Sequence, residues 1–431
     1  MDPAVQDLQA GRYQLFTLMN ESKPSTVLCR ICGAGSLAPI LDFGNTPLAN
    51  RLLKRDQLDD VEPTYPLDLV LCRRCTLLQI TETVPPETLF RDYCYFSSTS
   101  QSMLDHCRAS ADHLVGQLEL GGGSLVVEAA SNDGYMLRNF VARGIPVLGI
   151  EPALNIAVVA KREGVDTLAA FFGEALAVGL AAAGLRADLF LANNVLAHVA
   201  DTNGFVEGIR VILAPRGRCV IEVPYAMDLV EGGKFDTIYH EHLCYFSLTS
   251  LDHLFARHGL EIVDVERLAI HGGSLRFTAV HRGVAPRSEA VAELLANEVG
   301  WGVDRPEFYE GLTSRIALLK TTLLEKLATI KAAGQRIVAY GASAKGSTLL
   351  NLFGIGRETL DFIVDRSERK QGLFTPGTHL PILPAEALLA EMPDYVLLLT
   401  WNFAAEILEQ QAEYRKRGGR FLIPIPELRV I

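Results

Sequence analysis

The segment LVVEAASNDG, residues 125–134, decides how the middle of the chain folds. It begins with an apolar run that is typical of a strand buried in a parallel sheet, and its polar second half indicates a loop that leads into a helix. Further apolar runs, separated by helical patterns, lie at residues 146–150, 188–192 and 218–223. Because strands that alternate with helices build parallel sheets, the sequence predicts a doubly wound α/β fold.

Polar residues stand where these predicted strands end, and doubly wound sheets bind their ligands at that edge. The candidates are Glu128, Ser131, Asn132, Asp133 and Gly134 after the first strand, Glu151 and Pro152 after the second, and Asn193 and Asn194 after the third. Glu151 is placed to accept hydrogen bonds from both ribose hydroxyls of an adenosine. Ala129 and Ala130 replace the glycines of a dinucleotide site, which favours a cofactor without phosphates, such as S-adenosylmethionine. An ordinary acidic turn is the alternative.

The segment FDTIYHEHLCYFS, residues 235–247, concentrates groups that exchange protons near neutral pH. Tyr239, His240, Glu241 and His242 are consecutive within it. Histidine and carboxylate side chains act as general bases and acids when a pocket brings them together. We interpret this segment as the candidate catalytic centre, while a polar cluster beneath a loop and a chance histidine pair on zinc stay open as alternatives.

Two Cys-x-x-Cys pairs precede the α/β region, Cys29 with Cys32 and Cys72 with Cys75. Two such turns supply four thiolates, which form a common tetrahedral ligand set for Zn²⁺. Four sulfur ligands leave no open coordination position, so the sequence predicts a structural zinc site. A dithiol redox pair is the alternative, but neither pair lies in a thioredoxin-like βαβ pattern.

Three other segments carry candidate substrate contacts. The segment YCYFSSTS (93–100) offers Tyr95 and Ser97, HGGSLR (271–276) offers His271, Ser274 and Arg276, and GASAKG (341–346) offers Ser343 and Lys345. The last of these follows a predicted strand and opens a helix, an arrangement that suits an anion such as a pyrophosphate. On local grounds each segment is also compatible with a plain connector or turn. A long amphipathic helix is predicted between the second and third segments, over residues 307–333.

Composition narrows the classes of function. The chain has 431 residues and a formal net charge of −11, which argues against nonspecific nucleic-acid binding because that requires a positive field. No apolar run reaches the roughly 18 residues of a membrane span, and the N-terminus lacks the pattern of a signal peptide. We therefore expect a cytoplasmic monomer that binds neither nucleic acid nor a membrane.

In combination, these motifs resemble those of the deoxysugar C-methyltransferases, which use S-adenosylmethionine to methylate nucleotide-linked 4-keto sugars. The resemblance covers nearly the whole chain from Cys29 onward, and it includes FGNTPLAN (43–50) and NNVLAHV (193–199). It implies an N-terminal tail (1–25), a zinc-binding domain (26–90), a methyltransferase domain (91–300) and a Rossmann-like C-terminal domain (301–431) that binds the nucleotide of the sugar.

By the same resemblance, the sugar pocket is lined by Tyr95, His198, Tyr239, Glu241 and His242. His242 is expected to be a neutral base near its reference pKa of about 6.5, and to remove a proton from the carbon beside the ketone. Tyr239 and His198 are the expected donors to the enolate oxygen. The expected substrate is a dTDP-linked 4-keto sugar methylated at C3. The competing hypotheses are an NAD-dependent nucleotide-sugar oxidoreductase or epimerase and a noncatalytic zinc-ribbon protein.

Overall fold

Three β-sheets organise the residues that the computed structural model describes, 27–90 and 96–431. Buried apolar side chains from all three sheets join in one continuous core. The predicted tail (1–25) and Tyr95 lie outside the described residues, and so does the side chain of His271.

The first sheet is antiparallel and has four strands, in the order Leu37–Pro47, Thr64–Cys72, Leu78–Ile80 and Cys244–Tyr245. In its second strand Leu67, Leu69 and Leu71 alternate with polar or less buried positions, and all three are at most 1% exposed. The fourth strand departs from the predicted domain partition, because it comes from the predicted methyltransferase region. Leu78 pairs with Tyr245 in this sheet, and this pairing brings residues 235–247 against the cysteine-containing part of the chain.

The second sheet has seven strands, in the order Leu260–Leu268, Ser274–His281, Leu213–Pro224, Ala187–Asn193, Val126–Ala129, Val147–Ile150 and Thr167–Leu168. Its last five strands are parallel, and the first two pair antiparallel at one edge. The predicted doubly wound α/β fold is therefore confirmed. The strand order reverses between Val126–Ala129 and Ala187–Asn193, which opens the crevice where such sheets bind ligands.

The third sheet has six strands, in the order Ile382–Pro384, Ile363–Asp365, Ile337–Tyr340, Tyr395–Leu398, Arg420–Ile423 and Arg429–Val430. Only the last pairing is antiparallel. Gly341 and Gly346 bound the loop after the central strand. A Cβ atom at Gly341 would lie 2.5 Å from Cγ2 of Thr400, and one at Gly346 would lie 2.8 Å from Cβ of Leu399. These glycines therefore let the loop approach the neighbouring strand closely.

Helices pack on the sheets and connect them. Within the described ranges the α-helices are Pro86–Phe90, Gln101–Leu118, Arg138–Val141, Leu154–Arg162, Glu174–Ala182, Thr202–Ile212, Ala226–Glu231, Leu248–Arg257, Glu289–Trp301, Glu310–Ala332, Ala344–Phe353, Ala387–Glu391, Ala404–Gln410 and Ala412–Lys416. The predicted long helix begins at Glu310, after a 3₁₀ turn at Pro306–Tyr309, and buries an apolar stripe that includes Leu312, Leu323 and Leu327. Among the described residues, no helix combines the length and hydropathy needed to cross a bilayer.

One buried carboxylate fixes the start of the helix Leu248–Arg257, which directly follows the FDTIYHEHLCYFS segment. Glu298 is fully buried and accepts hydrogen bonds from the Tyr225 hydroxyl at 2.7 Å and from the backbone N–H groups of Leu248 and Thr249, both at 2.7 Å. The Thr249 hydroxyl donates to the same carboxylate at 2.6 Å. The first N–H groups of a helix lack partners within the helix, so Glu298 satisfies donors that would otherwise be buried without an acceptor.

Glu298→Gln is expected to lower the free energy of unfolding by about 3 kcal/mol. The substitution replaces one accepting oxygen by an NH₂ group, which would point its own N–H donors at the donors that Glu298 now satisfies. Urea denaturation followed by tryptophan fluorescence measures this loss. Glu293 lies on the same helix and is exposed, so Glu293→Gln is the matched control and is expected to change stability by less than ~0.5 kcal/mol. Equal stabilities of the two variants would contradict the role assigned to Glu298.

Candidate active site

The four predicted zinc ligands come together beside the first sheet, where Cys72 ends the strand Thr64–Cys72. The sulfur atoms of Cys29 and Cys75 are 3.4 Å apart, those of Cys32 and Cys72 are 3.5 Å apart, and all four lie within 4.8 Å of one another. A tetrahedral zinc site with Zn–S bonds of about 2.3 Å separates its sulfur atoms by about 3.8 Å. A hydrogen bond from Cys75 lowers the pKa of Cys29 to about 5, which favours a thiolate at this position. The donor set therefore fits structural Zn²⁺.

The loop after Val126–Ala129 folds into a tight cradle at the crevice of the second sheet. Ala130 and Asn132 both have a φ of 48°, and Gly134 has a φ of 78°. A Cβ atom at Gly134 would lie 2.7 Å from Cγ2 of Val165, so this position requires glycine. Left-handed conformations are unfavourable for residues with a Cβ atom, and their persistence at Ala130 and Asn132 indicates that the surrounding structure imposes the shape of the loop.

Two buried acidic side chains, Glu128 and Glu151, lie at this cradle. Glu151 accepts hydrogen bonds from the N–H of Asn132 at 2.9 Å and from the N–H of Ala153 at 2.8 Å. Glu128 is fully buried, and neither of its carboxyl oxygens has a hydrogen-bond partner in the structure. An unpartnered buried carboxyl group is costly, so Glu128 marks a place where a ligand can supply donors.

Burial controls the protonation of both acids. It raises the pKa of Glu151 from its usual 4.5 to about 7, although two backbone amides act in the opposite direction. Burial also raises the pKa of Glu128 well above its usual value, and the negative charges of Glu151, Asp133 and Glu222 raise it further. The cradle therefore holds acidic groups that favour a proton or a positively charged ligand.

The remaining predicted cofactor residues surround the same crevice. Asn193 ends its strand at the switch point, and Asn194 follows with a φ of 56° and donates its N–H to the carbonyl oxygen of Glu222 at 2.7 Å. Ser97 was predicted as a substrate contact, but its backbone N–H donates to Oδ1 of Asn132 at 2.9 Å. It therefore lies against the cofactor loop. Pro152 directly follows Glu151, and Ser131 is fully buried in the loop.

The FDTIYHEHLCYFS segment forms a turn that brings Tyr239 and His242 together. The N–H of His242 donates to the carbonyl oxygen of Tyr239 at 2.9 Å, and the Tyr239 hydroxyl lies 2.8 Å from Nε2 of His242. Nδ1 of His242 lies 2.8 Å from the carbonyl oxygen of Thr237. A carbonyl oxygen only accepts hydrogen bonds, so Nδ1 carries the proton and Nε2 presents its lone pair toward Tyr239.

A second histidine packs beside this pair. The rings of His198 and His242 have centroids 4.6 Å apart and meet at 75°. Burial lowers the pKa of His198 to about 4, and burial together with the neighbouring His198 and Lys345 lowers the pKa of His242 well below 6.5. The expectation of a His242 pKa near its reference value is therefore wrong. Both imidazoles are neutral at pH 7, which agrees with the expected protonation state.

Glu241 and His240 point toward the first sheet. The side-chain N–H of Asn50 donates to Oε1 of Glu241 at 2.7 Å. Nε2 of His240 lies 3.1 Å from the carbonyl oxygen of Pro66, and its ring meets that of Tyr65 edge-on, with centroids 5.8 Å apart. His240 is therefore an anchor to the first sheet, whereas Tyr239 and His242 form the neighbouring pair.

Lys345 extends from the third sheet toward the same region. Its ammonium group lies 5.0 Å from the centroid of the Trp401 ring, and the Trp401 indole N–H donates to Oδ2 of the fully buried Asp236 at 2.6 Å. Burial lowers the pKa of Lys345, while the charge of Asp236 acts against that shift. The GASAKG loop thus brings a cation to the junction between the second and third sheets, close enough to affect His242.

Three other predicted substrate contacts have partners within the protein. Arg276 donates to Oε1 of Glu222 at 2.6 and 2.8 Å and forms an ion pair with Glu266 at 3.2 Å, so the guanidinium is already matched by carboxylates. This geometry does not support Arg276 as a substrate contact. Ser274 donates to the carbonyl oxygen of Ile270 at 3.3 Å. Ser343 caps the helix Ala344–Phe353 by accepting the N–H of Gly346 at 3.1 Å.

Several residues of the site were not assigned from the sequence. Asn50 lies within the quoted FGNTPLAN motif but had no role, and Asp236 and Trp401 carried no local signal. Leu154 and Phe171 follow the adjacent strands Val147–Ile150 and Thr167–Leu168, and they are 58% and 42% exposed. Large exposed apolar side chains next to a crevice indicate a ligand-binding surface, but the sequence alone does not show which apolar side chains are exposed.

Family comparisons match three successive regions of the chain. Residues 29–90 match a family described as a zinc binding domain, residues 106–265 match one described as a methyltransferase domain, and residues 269–426 match one described as a C-methyltransferase C-terminal domain. The first region contains the four clustered cysteines, so the expected zinc site is confirmed by family and by geometry.

Among individual proteins, C-methyltransferase NovU of Streptomyces niveus is 39% identical over 404 residues, which cover 94% of this chain and 96% of that protein. Solved structures of lower similarity include magnesium protoporphyrin IX methyltransferase of Synechocystis, with a TM-score of 0.33, 14% identity and coverage of 43% of this chain and 83% of that chain. Another is 1,6-didemethyltoxoflavin-N1-methyltransferase of Burkholderia thailandensis, with a TM-score of 0.31, 23% identity and coverage of 40% and 76%.

Proposed function

Since the chain belongs to the C-methyltransferase family, we propose that it transfers a methyl group from S-adenosylmethionine to a carbon next to the ketone of a nucleotide-linked sugar. The expectation of a methyltransferase is confirmed by the family, and the sugar substrate is the proposal. S-Adenosylmethionine supplies an electrophilic methyl group when bound. The protein must then make the acceptor carbon nucleophilic.

The observation that carries the proposal is the orientation of His242. Its Nδ1–H is committed to the Thr237 carbonyl oxygen, so Nε2 is the atom that can accept a proton. A carbon-bound hydrogen is a weak acid, and a neighbouring ketone acidifies it by taking up the charge as an enolate. The Tyr239 hydroxyl lies next to Nε2 of His242 in the structure, so the substrate must enter beside this hydroxyl or take its place. His242 then removes the proton through Nε2.

The low pKa of His242 sets a requirement for the rest of the pocket. A weak base removes a carbon-bound proton only when the resulting enolate oxygen is strongly stabilised. The Tyr239 hydroxyl donates one hydrogen bond to that oxygen, and His198 is the second candidate donor. Glu241 accepts a hydrogen bond from a hydroxyl or amino group of the sugar. This contact holds the sugar ring in place for in-line transfer of the methyl group.

The cradle of the second sheet suits S-adenosylmethionine. The unpartnered oxygens of Glu128 are acceptors for an ammonium or amide donor, and Glu151 is placed at the strand end where an acid binds ribose hydroxyls. Asn132, Asp133 and Gly134 complete the loop, and Asn193 and Asn194 border it. Exposed Leu154 and Phe171 supply an apolar surface for the adenine ring.

The nucleotide of the sugar binds between the second and third sheets. Lys345, at the start of a helix and beside Trp401, is the candidate ligand for the pyrophosphate. The sugar then extends from Lys345 toward His242, whose pKa is lowered in part by the charge of Lys345. We propose a dTDP-linked 4-keto sugar with C3 as the acceptor carbon.

Thermal-shift measurements with three ligands separate this proposal from the NAD-dependent alternative. S-Adenosylhomocysteine and dTDP, added separately at 100 times their Kd, are each expected to stabilise the protein by about 2.7 kcal/mol, whereas NAD has no effect. Incubation with labelled S-adenosylmethionine and dTDP-4-keto sugars, followed by mass spectrometry, then locates the added methyl group. Stabilisation by NAD, or the absence of methylated product from every 4-keto sugar, refutes the substrate proposal.

Cofactor affinity is expected to depend on pH through Glu151. Its pKa of about 7 means that it is mostly protonated at pH 6 and mostly ionised at pH 8. Ribose hydroxyls donate to the ionised carboxylate, so the Kd for S-adenosylhomocysteine should rise about tenfold between pH 8 and pH 6. Calorimetric titration at both values measures the ratio. Glu151→Gln should bind more weakly at both pH values with a ratio near one, and a pH-independent wild type contradicts the assignment.

A further inference from the structure

The first sheet holds the YHEH segment (Tyr239 to His242) at several points. The strand Cys244–Tyr245, which follows this segment, pairs with Leu78–Ile80 of the first sheet. In addition, Nε2 of His240 lies 3.1 Å from the carbonyl oxygen of Pro66 in the same sheet. Asn50, in the connection that follows the strand Leu37–Pro47, donates its amide N–H to Glu241. The zinc-binding region is therefore in direct contact with the residues that we propose carry out the chemistry.

The contact between Asn50 and Glu241 holds the carboxyl group in one orientation. Glu241 is only 4% exposed, and its Oε1 lies 2.7 Å from Nδ2 of Asn50. A buried carboxylate loses its hydration, and an amide donor compensates part of that loss while fixing the rotamer. An amide NH₂ group is a donor only, so Oε1 is engaged as an acceptor in this contact.

Asn50 is itself held from two directions. It follows the strand Leu37–Pro47 of the first sheet, and three residues later Leu53 exchanges backbone hydrogen bonds of 2.9 and 2.8 Å with Phe374 beside the third sheet. The short connection from Leu48 to Leu53 is thus pinned at both ends. A side chain carried by such a connection is positioned more sharply than one on a free loop.

We propose that Asn50 is a positioning residue that orients Glu241 toward the substituent on the reacting carbon, so that the zinc-binding region helps to select the sugar. This inference rests on the proposed function. An ionised carboxylate favours a substrate amino group, which is charged, over a hydroxyl group at the same position. Substrate discrimination between 3-amino and 3-hydroxy 4-keto sugars then depends on a residue outside the methyltransferase region.

The test compares the specificity constants of the wild type, Asn50→Asp and Asn50→Ala for both classes of dTDP-4-keto sugar. Asn50→Asp places a second carboxylate against Glu241, and it is expected to lower kcat/KM at least ~10²-fold. Asn50→Ala is expected to lower kcat/KM about tenfold and to reduce the preference for one substituent. In Asn50→Ala, zinc content and S-adenosylhomocysteine affinity should match the wild type, because a merely structural role would change them instead.

Asn45 supplies the matched control, because it lies on the same strand region and is exposed. Asn45→Asp makes the same change of charge and is expected to keep kcat/KM within twofold. If Asn50→Asp does not fold, Asn50→Ala decides the question. Wild-type turnover with an unchanged substituent preference in the Asn50 variants overturns the inference alone. A wild type without turnover on any 4-keto sugar overturns the proposed function and this inference with it.

Discussion

His242→Asn is expected to lose at least ~10²-fold in methyl transfer while binding S-adenosylhomocysteine and the sugar nucleotide as the wild type does. Asparagine can retain the hydrogen bond to the Thr237 carbonyl oxygen through its amide N–H, so the turn from Tyr239 to His242 is preserved. It has no group that accepts a proton near neutral pH. The loss should therefore fall on kcat, with KM close to that of the wild type.

Single-turnover transfer from labelled S-adenosylmethionine measures this effect directly, and calorimetry measures the two affinities. Exchange of the acidic substrate proton with deuterated water gives a second readout, because it reports proton removal without methyl transfer. His253 is exposed on the helix Leu248–Arg257, so His253→Asn is the matched control and should retain full turnover. Near-normal turnover of His242→Asn would exclude His242 as the base.

Removal of zinc is expected to abolish methyl transfer as well as to destabilise the N-terminal region. Structural zinc contributes about 10–16 kcal/mol of apparent binding free energy in small zinc domains, which is folding free energy for the segments it joins. Here the cluster lies at the end of the strand Thr64–Cys72, two strands away from Cys244–Tyr245 in the same sheet. Loss of the sheet would therefore release the YHEH segment and lower activity at least ~10²-fold.

Dialysis against a chelator, with metal content checked by elemental analysis, produces the zinc-free protein. Four newly reactive thiols should appear in a thiol assay, matching the four clustered cysteines. Addition of Zn²⁺ should restore activity and addition of Mg²⁺ should not, because Mg²⁺ prefers oxygen ligands. A zinc-free protein with full methyl transfer would show that the first sheet does not support the YHEH segment.

The sequence predicted the parts of the fold in which apolar runs are long enough to have a pattern. The four runs from residue 125 to residue 223 appear as the parallel strands of the second sheet, within a few residues of the predicted bounds. The strands Thr167–Leu168 and Cys244–Tyr245 were not predicted. Each has two residues, which is too short for a periodic pattern, and each exists because a neighbouring strand supplies its hydrogen-bonding partners.

In the candidate site, too, residues that are close in the sequence could be predicted, whereas partners that are distant in the sequence could not. Consecutive groups such as Tyr239 and His242 are visible in the sequence because a turn keeps them together. Glu241 accepts a hydrogen bond from Asn50, which lies 191 positions away, and Trp401 donates one to Asp236, 165 positions away. Pairings of this kind depend on how the sheets assemble.

Arg276 shows the converse case, in which the sequence suggested a substrate contact that the structure does not support. Its place after two glycines suggested that it contacts the substrate. Glu222, 54 positions earlier, occupies the neighbouring strand and takes up the guanidinium in an ion pair. The register between Ser274–His281 and Leu213–Pro224 places Arg276 directly opposite Glu222, and a register between distant strands is set by the whole sheet.

The two-residue strand Cys244–Tyr245 limits how this protein can be recombined with its relatives. A hybrid that joins residues 1–90 of one relative to the remainder of another would pair the strand Leu78–Ile80 with a foreign edge. Even a small mismatch there would shift the turn that carries His242. Exchange of substrate range between relatives therefore requires that the N-terminal region and residues 235–247 be transplanted together, as one discontinuous unit.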